Sequence, residues 1–133
     1  MKVINIAIDK GGVLDGIKRI TANAAQQRGD DLHVATDDNE DLLDGFYDEV
    51  VGEIVVLLSR YASEGFVFTM PENWDVSLEA SLAKRVNDAV VFGVLAKWYS
   101  LSGESIYGSM FEGTIEEIIA VLDKRVKPVR DGR

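Results

Sequence analysis

The stretch from Ser77 to Leu101, SLEASLAKRVNDAVVFGVLAKWYSL, decides the fold. Leu78, Leu82, Val86, Ala89, Val90, Gly93, Val94, Ala96, Trp98 and Leu101 recur in it at helical intervals. Phe92, Leu95 and Tyr99 spread apolar surface around the axis. Only Lys84, Arg85, Asn87, Asp88 and Lys97 face clearly outward. This is the most hydrophobic helix of the chain, and Asp75 or Ser77 caps it.

On its N-terminal side, Phe66-Val67-Phe68-Thr69-Met70 reads as a strand ended by Pro71. The turn that follows carries Trp74, either a lid on the core or an anchor at an interface. Further back, a strong helix starts near Asp38 or Asn39. Asp37, Asp38 and Asn39 are cap residues, and Glu40 and Asp41 suit the positive end of the helix dipole. Leu42, Leu43, Phe46, Val50, Ile54, Leu57, Leu58 and Tyr61 form its stripe, which Val51, Val55 and Val56 widen until it is nearly two-sided. Gly45 and Gly52 each cost about 1 kcal/mol relative to Ala, a cost that close packing on a neighbouring helix would explain. Gly65 reads as this helix's C-terminal cap. An earlier helix covers Val13 to Gln27, and Val3 to Ile8 forms a first strand that can pair with 66–70. Asp9-Lys10-Gly11-Gly12 reads as a turn.

On the C-terminal side, Ser102-Gly103 breaks the chain. A last helix runs from about Glu104 to Lys127, softened at Gly108 and Gly113 and ended by Pro128. The expected fold is mainly α with a minor β element, a bundle of about four helices plus two short strands. Residues 1–127 form one helix-rich domain and 128–133 a short basic tail.

The 133 residues contain no cysteine and one histidine. Disulfides, thiol catalysis and multi-histidine metal sites are therefore excluded. A content of 47% hydrophobic residues can offset the entropy of ordering. The longest apolar run near the middle of the chain, Ala89–Leu95, falls short of the roughly 20 residues a spanning helix needs. No secretory leader pattern is present. A soluble, non-secreted protein is expected.

Charge is segregated. The formal net charge is -9, and residues 36–64 carry nine acids against one base. Lys124, Arg125, Lys127, Arg130 and Arg133 face only Asp131 near the C-terminal end. Acidic body and basic tail can pack together in a symmetric assembly, or both can be ordinary solvated surface. So acidic a body argues against broad nucleic-acid binding.

No pattern of catalytic or cofactor chemistry emerges, and no enzyme activity, cofactor or metal is expected. Asp37, Asn39 and Asp41 resemble the start of a calcium loop, but Leu42 replaces the glycine and Asp48 the final glutamate. Asp44, Asp48, Glu49 and Glu53 share helix faces without the Glu-x-x-His motifs of a di-metal bundle. The Gly11-Gly12 segment lacks the phosphate-binding patterns. Arg28-Gly29-Asp30 matches an adhesion tripeptide short enough to recur by chance. His33 reads as a surface residue, and the serines lack a recognisable histidine partner.

The run Asp88-Ala89-Val90-Val91-Phe92-Gly93-Val94-Leu95-Ala96-Lys97-Trp98-Tyr99 is similar to a helix of small head–tail connector, or neck, proteins of tailed bacteriophages, of the type found in gut Bacteroides phages and prophages. The front end, Ile8 to Asp15, and the basic segment Lys124-Arg125-Val126-Lys127-Pro128-Val129-Arg130 also resemble such proteins. The resemblance implies a virion structural protein assembled in the host cytoplasm. It implies a homo-oligomeric ring, commonly a dodecamer, between portal and tail, touching other neck proteins and letting DNA pass without sequence-specific binding. No membrane partner is implied. Trp74, Trp98, Tyr99, Lys124, Arg125, Lys127 and Arg130 are the interface candidates. Asp37, Asp38, Glu40, Asp41, Asp44 and Asp48 are candidates for an acidic surface or lumen. A small regulatory or inhibitor protein that binds one partner is the alternative.

Overall fold

A computed structural model describes residues 2–29 and 33–126. It is mainly helical, with four α-helices and a small three-stranded antiparallel sheet. Strand β1 (Lys2–Asn5) leads into helix α1 (Lys10–Arg28) and then, across 33–39, into α2 (Glu40–Leu57). Strands β2 (Ala62–Ser63) and β3 (Val67–Met70) form a hairpin. Helices α3 (Glu79–Ser100) and α4 (Gly108–Leu122) complete the order.

The two expected strands do pair, with Lys2 opposite Met70 and Asn5 opposite Val67. The sheet order is β1-β3-β2. Its alternation is one-sided: Ile4, Phe68 and Met70 are buried, while Val3 and Thr69 are exposed. The expected helix through Tyr61 ends instead at Leu57. Ala62 pairs with Phe68, and the Thr69 amide donates to the Tyr61 carbonyl. Gly65 therefore serves the hairpin rather than a helix end, with φ 72 beside Phe66 at φ 62.

Helix α1 begins earlier than the apolar pattern suggests. Asp9 caps it by accepting the Gly12 amide at 3.1 Å, so Asp9–Gly12 is a cap and first turn, not a free turn. Gly29, at φ 78, closes it by donating to the Ala25 carbonyl. A short 3₁₀ turn, Asp37–Asn39, precedes α2, and Thr36 and Asn39 form its capping box. A second 3₁₀ turn, Val76–Leu78, is capped by Asp75. Helix α4 starts only at Gly108, after Tyr107 at φ 68, and runs through Gly113 without a break.

Helix α3 packs against α1, α2 and α4, which accounts for its apolar surface all round. At Gly93 the three later helices converge. A Cβ there would lie 2.5 Å from Val50 Cγ1 on α2 and 3.0 Å from Phe111 Cε1 on α4. Gly45 and Gly52 do not pack closely: nothing lies within 4 Å of a Cβ at either. Leu42 and Leu57, expected in the α2 stripe, are exposed, because α3 covers only the side holding Leu43, Val50 and Ile54.

Candidate interaction surfaces

The three aromatic interface candidates are core residues. Trp74 is 1% exposed and donates its indole N–H to the Val121 carbonyl at 3.0 Å, tying the 71–75 turn to α4. It is the lid, not an anchor on the subunit surface. Trp98 donates to the His33 carbonyl at 2.7 Å. Tyr99 is 1% exposed and stacks on Tyr107 at 5.8 Å between centroids. Burial pushes its phenol pKa up. Burying a large aromatic whose polar atom finds a partner stabilises a core, and the sequence alone could not separate that use from an interface.

Of the basic candidates, Arg125 works inside the subunit. Its guanidinium donates to the Leu122 and Lys124 carbonyls, both at 2.8 Å, and to the Tyr61 hydroxyl at 3.2 Å. That closes the C-terminal end of α4, where a cation is favoured. Tyr61 also donates to Asp123. Lys124 is exposed. Lys127 and Arg130 lie outside the described residues, as does the expected tail.

The acidic candidates are organised around lysines of other helices. Lys18 of α1 meets Asp37 at 2.8 Å and Glu40 at 2.6 Å. Lys10, also of α1, meets Asp44 at 2.6 Å and Asp48 at 3.3 Å. Lys97 of α3 meets Glu53 at 2.9 Å and Glu49 at 3.3 Å. Each lysine is thus clasped by two acids of α2 or its leading turn. The Asp37 carboxylate holds Lys18 above the ordinary lysine value, and Lys18 in turn holds Asp37 low. Asp44 raises Lys10, and Glu53 raises Lys97. Four of the six acidic candidates therefore fasten helices. Asp38 and Asp41 form no ion pair among the described residues.

His33 is not a free surface histidine. Its Nδ1 lies 2.9 Å from Ser102 Oγ, and its ring meets Tyr99 edge-on at 6.1 Å. Glu104 lies 3.7 Å from its Nε2. Ser102 thus has a histidine partner that spacing did not reveal, since 69 residues separate them. The Glu104 distance is beyond hydrogen bonding, so the imidazole lacks the orienting carboxylate that a serine–histidine–acid mechanism uses. The cluster pins the 101–104 turn to the end of the 33–36 connection.

Among the described residues, no group of three potential ligands is gathered for a metal ion, and no helix is long and apolar enough to cross a membrane. Comparison with protein-family models, with curated proteins and with solved structures finds no match to this chain.

Proposed function

We propose that this chain is a structural subunit of a tailed-bacteriophage neck, one copy in a homo-oligomeric ring between portal and tail through which DNA passes. The observation that carries the reading is apolar surface the fold leaves uncovered. Val56 is 71% exposed and Leu57 52%, beside the bare backbone of Gly52, around a shallow hollow of about 660 Å³ on α2. Leu101, Ile106 and Met110 are exposed in and just after the α3–α4 connection. Adjacent exposed apolar residues of this kind mark contact surfaces. The sequence resemblance supplies the particular assembly. In such a ring, Asp38 and Asp41 are the two acidic candidates with no ion pair among the described residues, and they face DNA and repel it.

The mass of the purified protein, measured by sedimentation and native mass spectrometry over a range of concentrations, tests the reading. A discrete multi-subunit species is expected. A persistent monomer, even with virion extract added, overturns it. A monomer that binds a single different protein through the α2 hollow would establish the alternative of a small regulatory or inhibitor protein.

A further inference from the structure

A second concave surface lies between the first turns of α1 and the middle of α3. It is a cleft of about 490 Å³. Val13, Ile20, Val91 and Phe92 give it an apolar floor. Gly12 and Gly16, four residues apart on one side of α1, keep its wall low. A Cβ at Gly16 would meet only the Arg19 guanidinium, at an ordinary 3.7 Å. The rim carries Asp9, Asp88 and Arg19. One Asp9 oxygen accepts the Gly12 amide, and Asp88 meets Lys84 at 2.9 Å. Arg19 has no ion pair among the described residues. The cleft therefore combines an apolar floor with two acids and one base.

One segment of this chain has the complementary pattern. Residues 127–133 read Lys-Pro-Val-Arg-Asp-Gly-Arg. Val129 stands between Lys127 and Arg130, and Asp131 follows. By sequence, Pro128 disfavours a helical backbone at the residue before it. We propose that the segment Lys127–Arg133 of one copy seats in the α1–α3 cleft of a second copy. Val129 meets the apolar floor, Lys127 and Arg130 meet Asp9 and Asp88, and Asp131 meets Arg19.

The geometry makes this a contact between copies. The chain enters the segment beside Trp74: Arg125 pairs with Trp74 in an antiparallel bridge, and the Val126 amide donates to the Asn73 carbonyl at 2.7 Å. Val129 is three residues further, about 10 Å of extended chain. Asp88 stands fourteen residues from Trp74 along the chain, and the nine steps within α3 alone rise about 14 Å. The reach to Val129 is shorter than that rise, and so the segment is assigned to the cleft of another copy. Donor and acceptor are different patches on one molecule, so the contact is head-to-tail and closes rings when the rotation allows. This rests on the assembly reading above and names the surface that joins neighbours.

Sedimentation equilibrium of the full chain and three variants tests it. Gly16→Leu fills the cleft and Asp88→Arg reverses one rim charge; each is expected to weaken self-association roughly tenfold or more. Adding Arg130→Glu to Asp88→Arg is expected to restore part of the loss, a rescue that misfolding would not produce. Far-UV circular dichroism and thermal midpoints confirm that each variant folds. An oligomer unaffected by Gly16→Leu and by Asp88→Arg overturns the cleft contact and leaves the assembly reading standing. A wild-type chain that stays monomeric at every concentration overturns both.

Discussion

Gly93 and Gly52 lie on neighbouring helices and respond oppositely to the same added methyl group. Val50 is fully buried, and its Cγ1 would lie 2.5 Å from a new Cβ at Gly93, so the packing there must shift. Gly93→Ala is expected to cost about 1–3 kcal/mol through overpacking. Gly52→Ala meets nothing within 4 Å and is expected to stabilise the isolated subunit by up to about 1 kcal/mol through helix propensity. Urea denaturation decides between them; equal midpoints for the two variants would refute the packing assignment. The sequence offered close packing as one reason for Gly45 and Gly52 because each costs helix propensity. Periodicity identifies the glycines of a helix but not which one faces another backbone. Thr21 carries a similar lesson. By its own propensity a β-branched residue there only weakens α1. In the fold its buried hydroxyl donates to the Ile17 carbonyl at 2.9 Å and accepts the Ala35 amide at 3.0 Å, holding the 33–36 connection against the helix. Thr21→Val keeps the shape and leaves that amide unpaired, at a cost of about 1–3 kcal/mol. Thr21→Ser should retain most of the stability. Equal losses in the two variants would show that the hydroxyl is not the cause.

Among the elements, those with long apolar periods were legible and those made by partners were not. α3 needed only its own sequence. β2 exists because β3 lies beside it, and two residues carry no periodicity of their own. The start of α4 moved from Glu104 to Gly108 because Tyr107 adopts a left-handed backbone and stacks on Tyr99 and Phe92, which local spacing does not encode. The joining of α1 to the start of α2 was hidden for the same reason. Nothing in the acidic run 37–48 names Lys10 and Lys18 as its partners. Lys18, raised by Asp37, contributes stability that is present below the ordinary lysine value of 10.5 and lost as pH rises through its higher folded value. Asp37, lowered by Lys18, contributes stability that is present above 3.8 and lost as pH falls through its folded value. Lys18→Met is therefore expected to lower the thermal midpoint most between those two values. The gap from wild type should close at either extreme and shrink in high salt, since the Asp37 and Glu40 side chains face solvent. A gap independent of both pH and salt would assign Lys18 a packing role through its aliphatic stem instead.

For the whole molecule, the uneven charge and the broad apolar faces were both visible in the sequence, but their meaning changed with the fold. Much of the acidic excess is spent within the subunit, on helix-to-helix clasps. Much of the apolar excess lies on α3, which packs against three helices and leaves Val91 and Phe92 partly open at the α1–α3 cleft. What is left over is smaller and more definite: the α2 surface around Val56 and Leu57, and the α3–α4 connection with Leu101, Ile106 and Met110. A stable interface hides on the order of 1,000 Å² or more, so Val56 and Leu57 serve as part of such a patch rather than all of it. Because both are exposed, Val56→Gln with Leu57→Gln should leave the folded subunit within about 0.5 kcal/mol of wild type in denaturant titration. The same double variant should shift the sedimentation profile toward smaller species, because polar amides placed in an apolar contact lose water without gaining partners. Unchanged assembly would remove α2 from the interface and leave the α1–α3 cleft to join copies without it. A large loss of subunit stability would show that the two side chains belong to the core after all.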